Sequence, residues 1–314
     1  MFAGFVVAVV AVLLAVVAVS FAGSPRDRPP PPAGQLPVVA GWWRTQLDAV
    51  PLGTAESDND VAAALARQWS HFGQGEAAAY GLPEVASARR DGLPAPPGGD
   101  DHAITLDHEP GDPASHRKLY KSFSAASWPA GTEPFSQRDG SPTDVSARYI
   151  VYEYIDAARL RLTERGWVNL AQLKEGYATA DGRQTSDPSW WLVVYDRDGQ
   201  LYLDLAHYNE GRIAGRRLDF RPYLNRWLKI ELRVYQHDRL EVYLDDQLFD
   251  VGRQTEYPVG RMRYAGRPIA PGGPAVTREE GWIFGAGNYS NPSDPSSGSL
   301  VHVGPAAVLP LPQP

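Results

Sequence analysis

Between Arg226 and Asp250, apolar and polar residues alternate. Leu228, Ile230, Leu232 and Val234 interleave with Lys229, Glu231, Arg233 and Tyr235, and the period resumes with Leu240, Val242 and Leu244 against Glu241, Tyr243 and Asp245. Successive side chains of a strand point to opposite faces, so a strand collects the apolar set on one side, whereas a helix would scatter it round its axis. The pattern predicts a β-hairpin with one oily face, which needs a partner layer.

Further strand-like segments supply that layer. They are His102 to His108, Arg117 to Phe123, Ala147 to Ile155, Trp167 to Leu173, Trp190 to Tyr195, Leu201 to Tyr208, Trp282 to Tyr289 and Leu300 to Val308. Asp198-Gly199 joins two of them as a tight hairpin turn, because both residues tolerate positive φ. Strands following one another without helices between them predict an all-β antiparallel sandwich. Ahead of them, a short helix is expected from an N-cap at Asp60, with Val61, Leu65, Trp69 and Phe72 on one face and Gly73 ending it.

Residues 1–23 are almost wholly apolar, about the length of a bilayer-spanning helix, and Ser20-Phe21-Ala22 is an acceptable cleavage site. A signal peptide or membrane anchor is expected there, placing the rest outside the cytoplasm, either secreted or membrane-anchored. Pro29 to Pro32 form a stiff spacer within a linker over 24–41. Residues 42–101 read as a helical and loop extension packed on the sandwich, and 102–314 as the sandwich domain itself.

The chain has 314 residues, 30 glycines, 28 prolines, no cysteine and a net charge of −7. Many glycines and prolines suit turns between short strands. The lack of cysteine removes disulfides and thiolate metal sites. The acidic balance argues against nucleic acid as a partner, since phosphate contacts need a basic footprint, but it leaves room for a local basic groove. No histidine pair has zinc-site spacing, and Asp196 to Gly199 lacks the later acidic ligand of a calcium loop, so no metal or other cofactor is expected.

Several stretches resemble, in order, the concanavalin A-like jelly rolls of carbohydrate-active proteins, and among these the polysaccharide lyases of alginate, glucuronan and heparin type. Trp167 to Lys174 is similar to the lyase strand that carries Gln-Ile-His in alginate lyases, with Lys174 standing where histidine would be. Ser186 to Val194 is similar to the strand that follows it. Trp227-Leu228-Lys229 with Val242 to Leu248 resembles a hairpin widespread in such folds, and Trp282 to Tyr289 resembles the lyase motif Tyr-Phe-Lys-Ala-Gly-x-Tyr. The resemblance covers roughly residues 102 to 309. The Arg-Ser-Glu-Leu-Arg strand of alginate lyases has no clear copy, Arg148 to Glu153 occupying its place, and the glucanase signature Glu-x-Asp-x-x-Glu is absent.

The resemblance implies a jelly roll that binds an acidic polysaccharide and, on the enzyme reading, cleaves it by β-elimination. Such a lyase neutralises the uronate carboxylate, removes the C5 proton and protonates the departing O4. Gln172, Lys174 and Tyr289 are the candidate catalytic residues. Arg148, Tyr152, Lys229, Arg233, Tyr235 and Tyr243 are candidates for substrate binding, on a polar sheet face with aromatics interleaved. Each has a plainer reading. Gln172 and Lys174 share parity with Val168 and Leu170, as in a strand end emerging into solvent, Tyr289 could be one of many packed tyrosines, and alternating charges suit any solvated sheet face. A non-catalytic lectin-like domain therefore stands beside the lyase. The expected partner is an anionic polysaccharide, with membrane contact only through the N-terminal segment; the oligomeric state is not readable.

Overall fold

The computed structural model describes residues 43–55, 57–72, 83–98, 100–111, 116–123, 147–207, 211–212, 217–235, 239–253, 266–268, 271–290, 294 and 296–311. The apolar segment over 1–23 and the linker over 24–41 lie outside the described residues. In chain order the strands are β1 (Gly53–Thr54), β2 (His71–Phe72), β3 (Glu84–Ser87), β4 (His102–His108), β5 (His116–Phe123), β6 (Ala147–Ile155), β7 (Trp167–Thr179) and β8 (Gln184–Arg197). They continue with β9 (Gln200–His207), β10 (Gly211–Arg212), β11 (Leu218–Asp219), β12 (Trp227–Tyr235), β13 (Arg239–Leu244), β14 (Gln247–Arg253), β15 (Val276–Ser290) and β16 (Ser299–Leu309).

The strands form two antiparallel sheets that make a jelly-roll sandwich. Sheet one runs β1-β3-β4-β16-β6-β12-β13-β14, and sheet two runs β10-β9-β8-β7-β15-β5-β2, with β11 also on β9. Neighbours far apart in sequence, such as β5 with β15 and β6 with β16, are what give a late strand a place beside an early one.

The expected oily face is the core of sheet one: Leu228, Ile230, Val234, Leu240 and Val242 are fully buried, with Leu232 and Leu244 nearly so. They meet Leu173, Trp190, Leu192, Leu203, Leu205 and Phe284 from sheet two in one continuous core. The hairpin proves to be a three-stranded meander. Asp245 and Asp246 both take positive φ (48° and 65°), closing a turn between β13 and β14 that the alternation alone does not reveal. Asp198-Gly199 turns as expected, with φ of 54° and 73°, and the Gly199 amide donates to Asp196 Oδ1.

The helix is α1 (Asn59–Gln68), starting two residues earlier and ending about one turn earlier than expected. Its cap is Asp58, not Asp60, because the Asp58 carboxylate accepts from the amides of Asp60 and Val61. It stops at Trp69, before Gly73, and Phe72 belongs to β2. Val61, Leu65 and Trp69 are buried in the same core as the sheets.

Candidate functional site

Two irregularities in the sheet-two ladders decide which side chains face outward. On β7 a register shift between Asn169 and Ala171 puts two residues opposite one of β8. Such a bulge reverses the parity of everything beyond it. Val168 and Leu170 therefore face the core, and so do Ala171 and Leu173, while Asn169 and Gln172 turn the other way. This separates Gln172 from the apolar residues whose parity it shares in sequence. On β15 a second shift lies between Ala286 and Tyr289, where Gly287 and Asn288 have no partner on β7.

Across the outward face, Tyr120, Gly285, Gln172 and Trp191 stand in one row on β5, β15, β7 and β8. Gly285 has no side chain to part its neighbours: a Cβ there would lie 2.9 Å from both Gln172 Cγ and Tyr120 Cε1. Gln172 and Tyr120 thus close over the glycine, and the amide hydrogen-bonds the phenol. Gln172 Oε1 also accepts from Lys118 Nζ (3.0 Å) and Asn169 Nδ2 (2.6 Å). Lys118, Asn169 and Gln172 are almost entirely buried.

A half-buried layer lies around this polar row. Lys174 Nζ sits 5.0 Å from the centre of the Tyr120 ring, and Lys118 Nζ sits 5.9 Å from that of Tyr289. Trp167 meets Tyr289 edge-on at 5.1 Å and Trp191 at 5.2 Å. Aromatic faces beside cations and amides suit a sugar ring that also carries negative charge.

The opposite sheet contributes Glu153. Its parity on β6 matches Tyr149, Val151 and Ile155, so its carboxyl points into the sandwich, where Oε1 accepts the Gly287 amide at 2.7 Å. Oε2 has no hydrogen-bond partner among the described residues. Burial drives the Glu153 pKa well above the usual carboxylate range, against the pull of the Gly287 amide and Lys118. Burial likewise drives Lys118 well below the usual lysine range, with Glu153 opposing and Lys174 adding to the shift. Tyr120 is raised by burial and then by its neighbour Tyr289, with the Gln172 bond holding it back.

Gln172, Lys174 and Tyr289 therefore come together on one face of sheet two, linked through Lys118 and Tyr120. No family model matches the sequence, and no curated protein matches it. Among solved structures, similar ones include an endo-β-1,4-glucuronan lyase from Trichoderma reesei, with 13% identity over 77% of this chain and 91% of that one and a TM-score of 0.42. Another is the alginate lyase Aly36B, at 10% identity, 88% and 100% coverage and a TM-score of 0.43. A third is the cellulose induced protein Cip1, at 8% identity, 73% and 85% coverage and a TM-score of 0.39. These likenesses carry no chemistry for this chain.

Arg148, Tyr152, Lys229, Arg233, Tyr235 and Tyr243 lie elsewhere, on the outward face of sheet one, and share no face with Gln172. There they satisfy one another. Glu231, fully buried, accepts a two-pronged bond from Arg148 (2.8 and 2.9 Å), another from Arg233 (2.5 Å), and pairs with Lys229 at 3.2 Å. Lys229 also pairs with Asp246. Tyr235 and Tyr243 both donate to Glu241, and Arg233 stacks 3.8 Å over the Tyr243 ring. Tyr152 packs with Ala103, Ile150, Trp227 and Leu309.

Lys118, Tyr120, Asn169 and Trp191 are the members that sequence reading passed over. Lys118 and Tyr120 alternate with Leu119 and Phe123, and Trp191 follows a core Trp190, so strand parity could have marked all three as outward. Asn169 depends on the bulge and had no such signal.

Proposed function

We propose that the outward face of sheet two binds an acidic polysaccharide and cleaves it by β-elimination. The observation that carries this is the half-buried layer in which Lys174 lies against the Tyr120 ring and Tyr289 beside Lys118, over the buried Gln172 and Asn169. Lys174, with the Tyr120 phenol beside it, neutralises the uronate carboxylate and so acidifies the C5 proton. Tyr289 takes that proton and returns one to the O4 oxygen as the C4–O4 bond breaks, leaving a double bond between C4 and C5. Gln172, with both ends of its amide engaged, positions Tyr120 and Lys118 beneath the sugar. Trp167 and Trp191 hold the ring on either side of the reacting bond.

A screen of alginate, polyglucuronate, heparin and neutral cellulose tests this, read by ultraviolet absorbance of unsaturated chain ends. Absorbing ends are expected from at least one acidic polymer and from none of the neutral ones. A flat trace on all of them, with the protein folded, would refute cleavage. One observation favours a second reading, that of a non-catalytic lectin: Lys118 and Gln172 are 1% and 2% exposed, so ligand meets them only through the half-buried layer. Binding of an acidic polymer without unsaturated products would select it.

A further inference from the structure

One and two strands away from Gln172, on β8 and β9, the same outward face carries a second, differently built group. Tyr195 on β8 and Tyr202 on β9 are register partners with ring centres 5.9 Å apart. Arg217, just before β11, places its guanidinium 5.4 Å from the centre of each ring. Asp204 lies beside it, nearly buried, accepting from the Tyr195 hydroxyl at 3.2 Å. Arg217 Nε stands 3.8 Å from the Asp204 carboxylate, too far for a hydrogen bond, and Nε has no hydrogen-bond partner among the described residues. The side chain remains 30% exposed.

We propose that Arg217, held by Tyr195 and Tyr202, is a distal subsite for the carboxylate of a second acidic sugar on the same polymer chain. This rests on the polysaccharide reading of the face and adds where that chain runs and why it must be charged along its length. A planar guanidinium held beside two aromatic rings has part of its freedom removed already, so less is lost when it grips a carboxylate with two parallel bonds. Asp204 holds the arginine near the rings without using up its fork. Tyr289, Trp167, Tyr195 and Tyr202 lie on β15, β7, β8 and β9, so the row crosses three interstrand gaps, about 14 Å in all. That span takes more than one sugar ring. Arg217 places a cation at the β9 end of that row, although the chain as a whole carries −7.

The test measures binding of a ladder of oligouronates, from disaccharide to hexasaccharide, and of neutral cello-oligosaccharides, to the parent protein, Arg217→Gln, Arg217→Lys and the double variant Asp204→Asn/Arg217→Gln. The double variant removes both charges together, and thermal melting verifies its fold. The parent should bind the hexasaccharide more tightly than the disaccharide. Arg217→Gln and the double variant should weaken the hexasaccharide about tenfold and leave the disaccharide unchanged, and Arg217→Lys should recover only part of the loss. If the variants match the parent at every length, the distal subsite is wrong while the acidic-polymer reading stands. If the parent binds no oligouronate, or binds the neutral ladder equally well, both fall.

Discussion

Glu153 on one sheet accepts a 2.7 Å hydrogen bond from the Gly287 amide on the other, two residues before Tyr289. Gly287 belongs to the bulge that has no partner on β7, so its N–H is free of that ladder and is satisfied across the sandwich instead. Asn288 is tied the same way: its side-chain amide donates to the Leu106 and Ser299 carbonyls, and its oxygen accepts from the Ser299 hydroxyl. The segment that presents Tyr289 outward is thus clamped from inside the core.

The Glu153 clamp should be stronger as an amide. With its folded pKa raised above the ordinary 4.5 by burial, Glu153 contributes stability that is complete below 4.5 and is lost as pH rises through the folded value. Glu153→Gln keeps an acceptor for Gly287 without that cost. Urea denaturation should show the variant about 1–3 kcal/mol more stable at neutral pH, with the gain shrinking below 4.5. A variant less stable at neutral pH would mean that an ionised Glu153 pairs with Lys118.

Glu231 should behave in the opposite sense. Burial alone would raise its pKa, but hydrogen bonds from Arg148 and Arg233 outweigh this and bring it down to about 2 from 4.5. A depressed carboxylate contributes stability above 4.5 that is lost as pH falls through about 2, here about 3 kcal/mol. Glu231→Gln, which takes the carboxylate from Arg148 and Arg233, should cost about 3 kcal/mol or more at neutral pH. It should also flatten the acid limb of the stability profile and leave polysaccharide binding on the opposite sheet unchanged. Denaturation midpoints between neutral pH and pH 2 measure the first two, and an oligouronate titration the third.

Gly285→Ala tests the row that brings Tyr120 and Gln172 together. The added methyl needs space held by the Gln172 stem and the Tyr120 ring, so one of them must shift. A stability loss of about 1–3 kcal/mol is expected by thermal melting. The loss of turnover should be larger than that destabilisation explains at a temperature where the variant is folded. Unchanged turnover would place the reaction away from this row.

The sandwich was legible because its signals are local and repeated. Leu228 to Val234 and Leu240 to Leu244 alternate without interruption, and β4 and β6 begin and end where the pattern does. The site was legible only in part. Gln172, Lys174 and Tyr289 stand out as polar or aromatic residues in the lyase-like stretches, but a bulge decides whether Gln172 faces outward, and no residue type near Asn169 announces one. The charged ladder from Lys229 to Tyr243 shows why polar alternation misleads as a sign of binding. The same spacing that could line a groove also lets Glu231, Arg148 and Arg233 saturate one another across strands. That saturation depends on β6 lying beside β12, a neighbour relation that local pattern does not contain.

The central claim is that Tyr289 carries the proton in β-elimination on the outward face of sheet two. The most direct measurement compares Tyr289→Phe with the parent for release of unsaturated, ultraviolet-absorbing ends from the acidic polymer that the parent cleaves, alongside each protein's affinity for that polymer. The phenylalanine keeps the edge contact with Trp167, so the fold and binding should hold within a few fold, while turnover should drop about a hundredfold or more. A Tyr289→Phe variant that cleaves as fast as the parent would contradict the account.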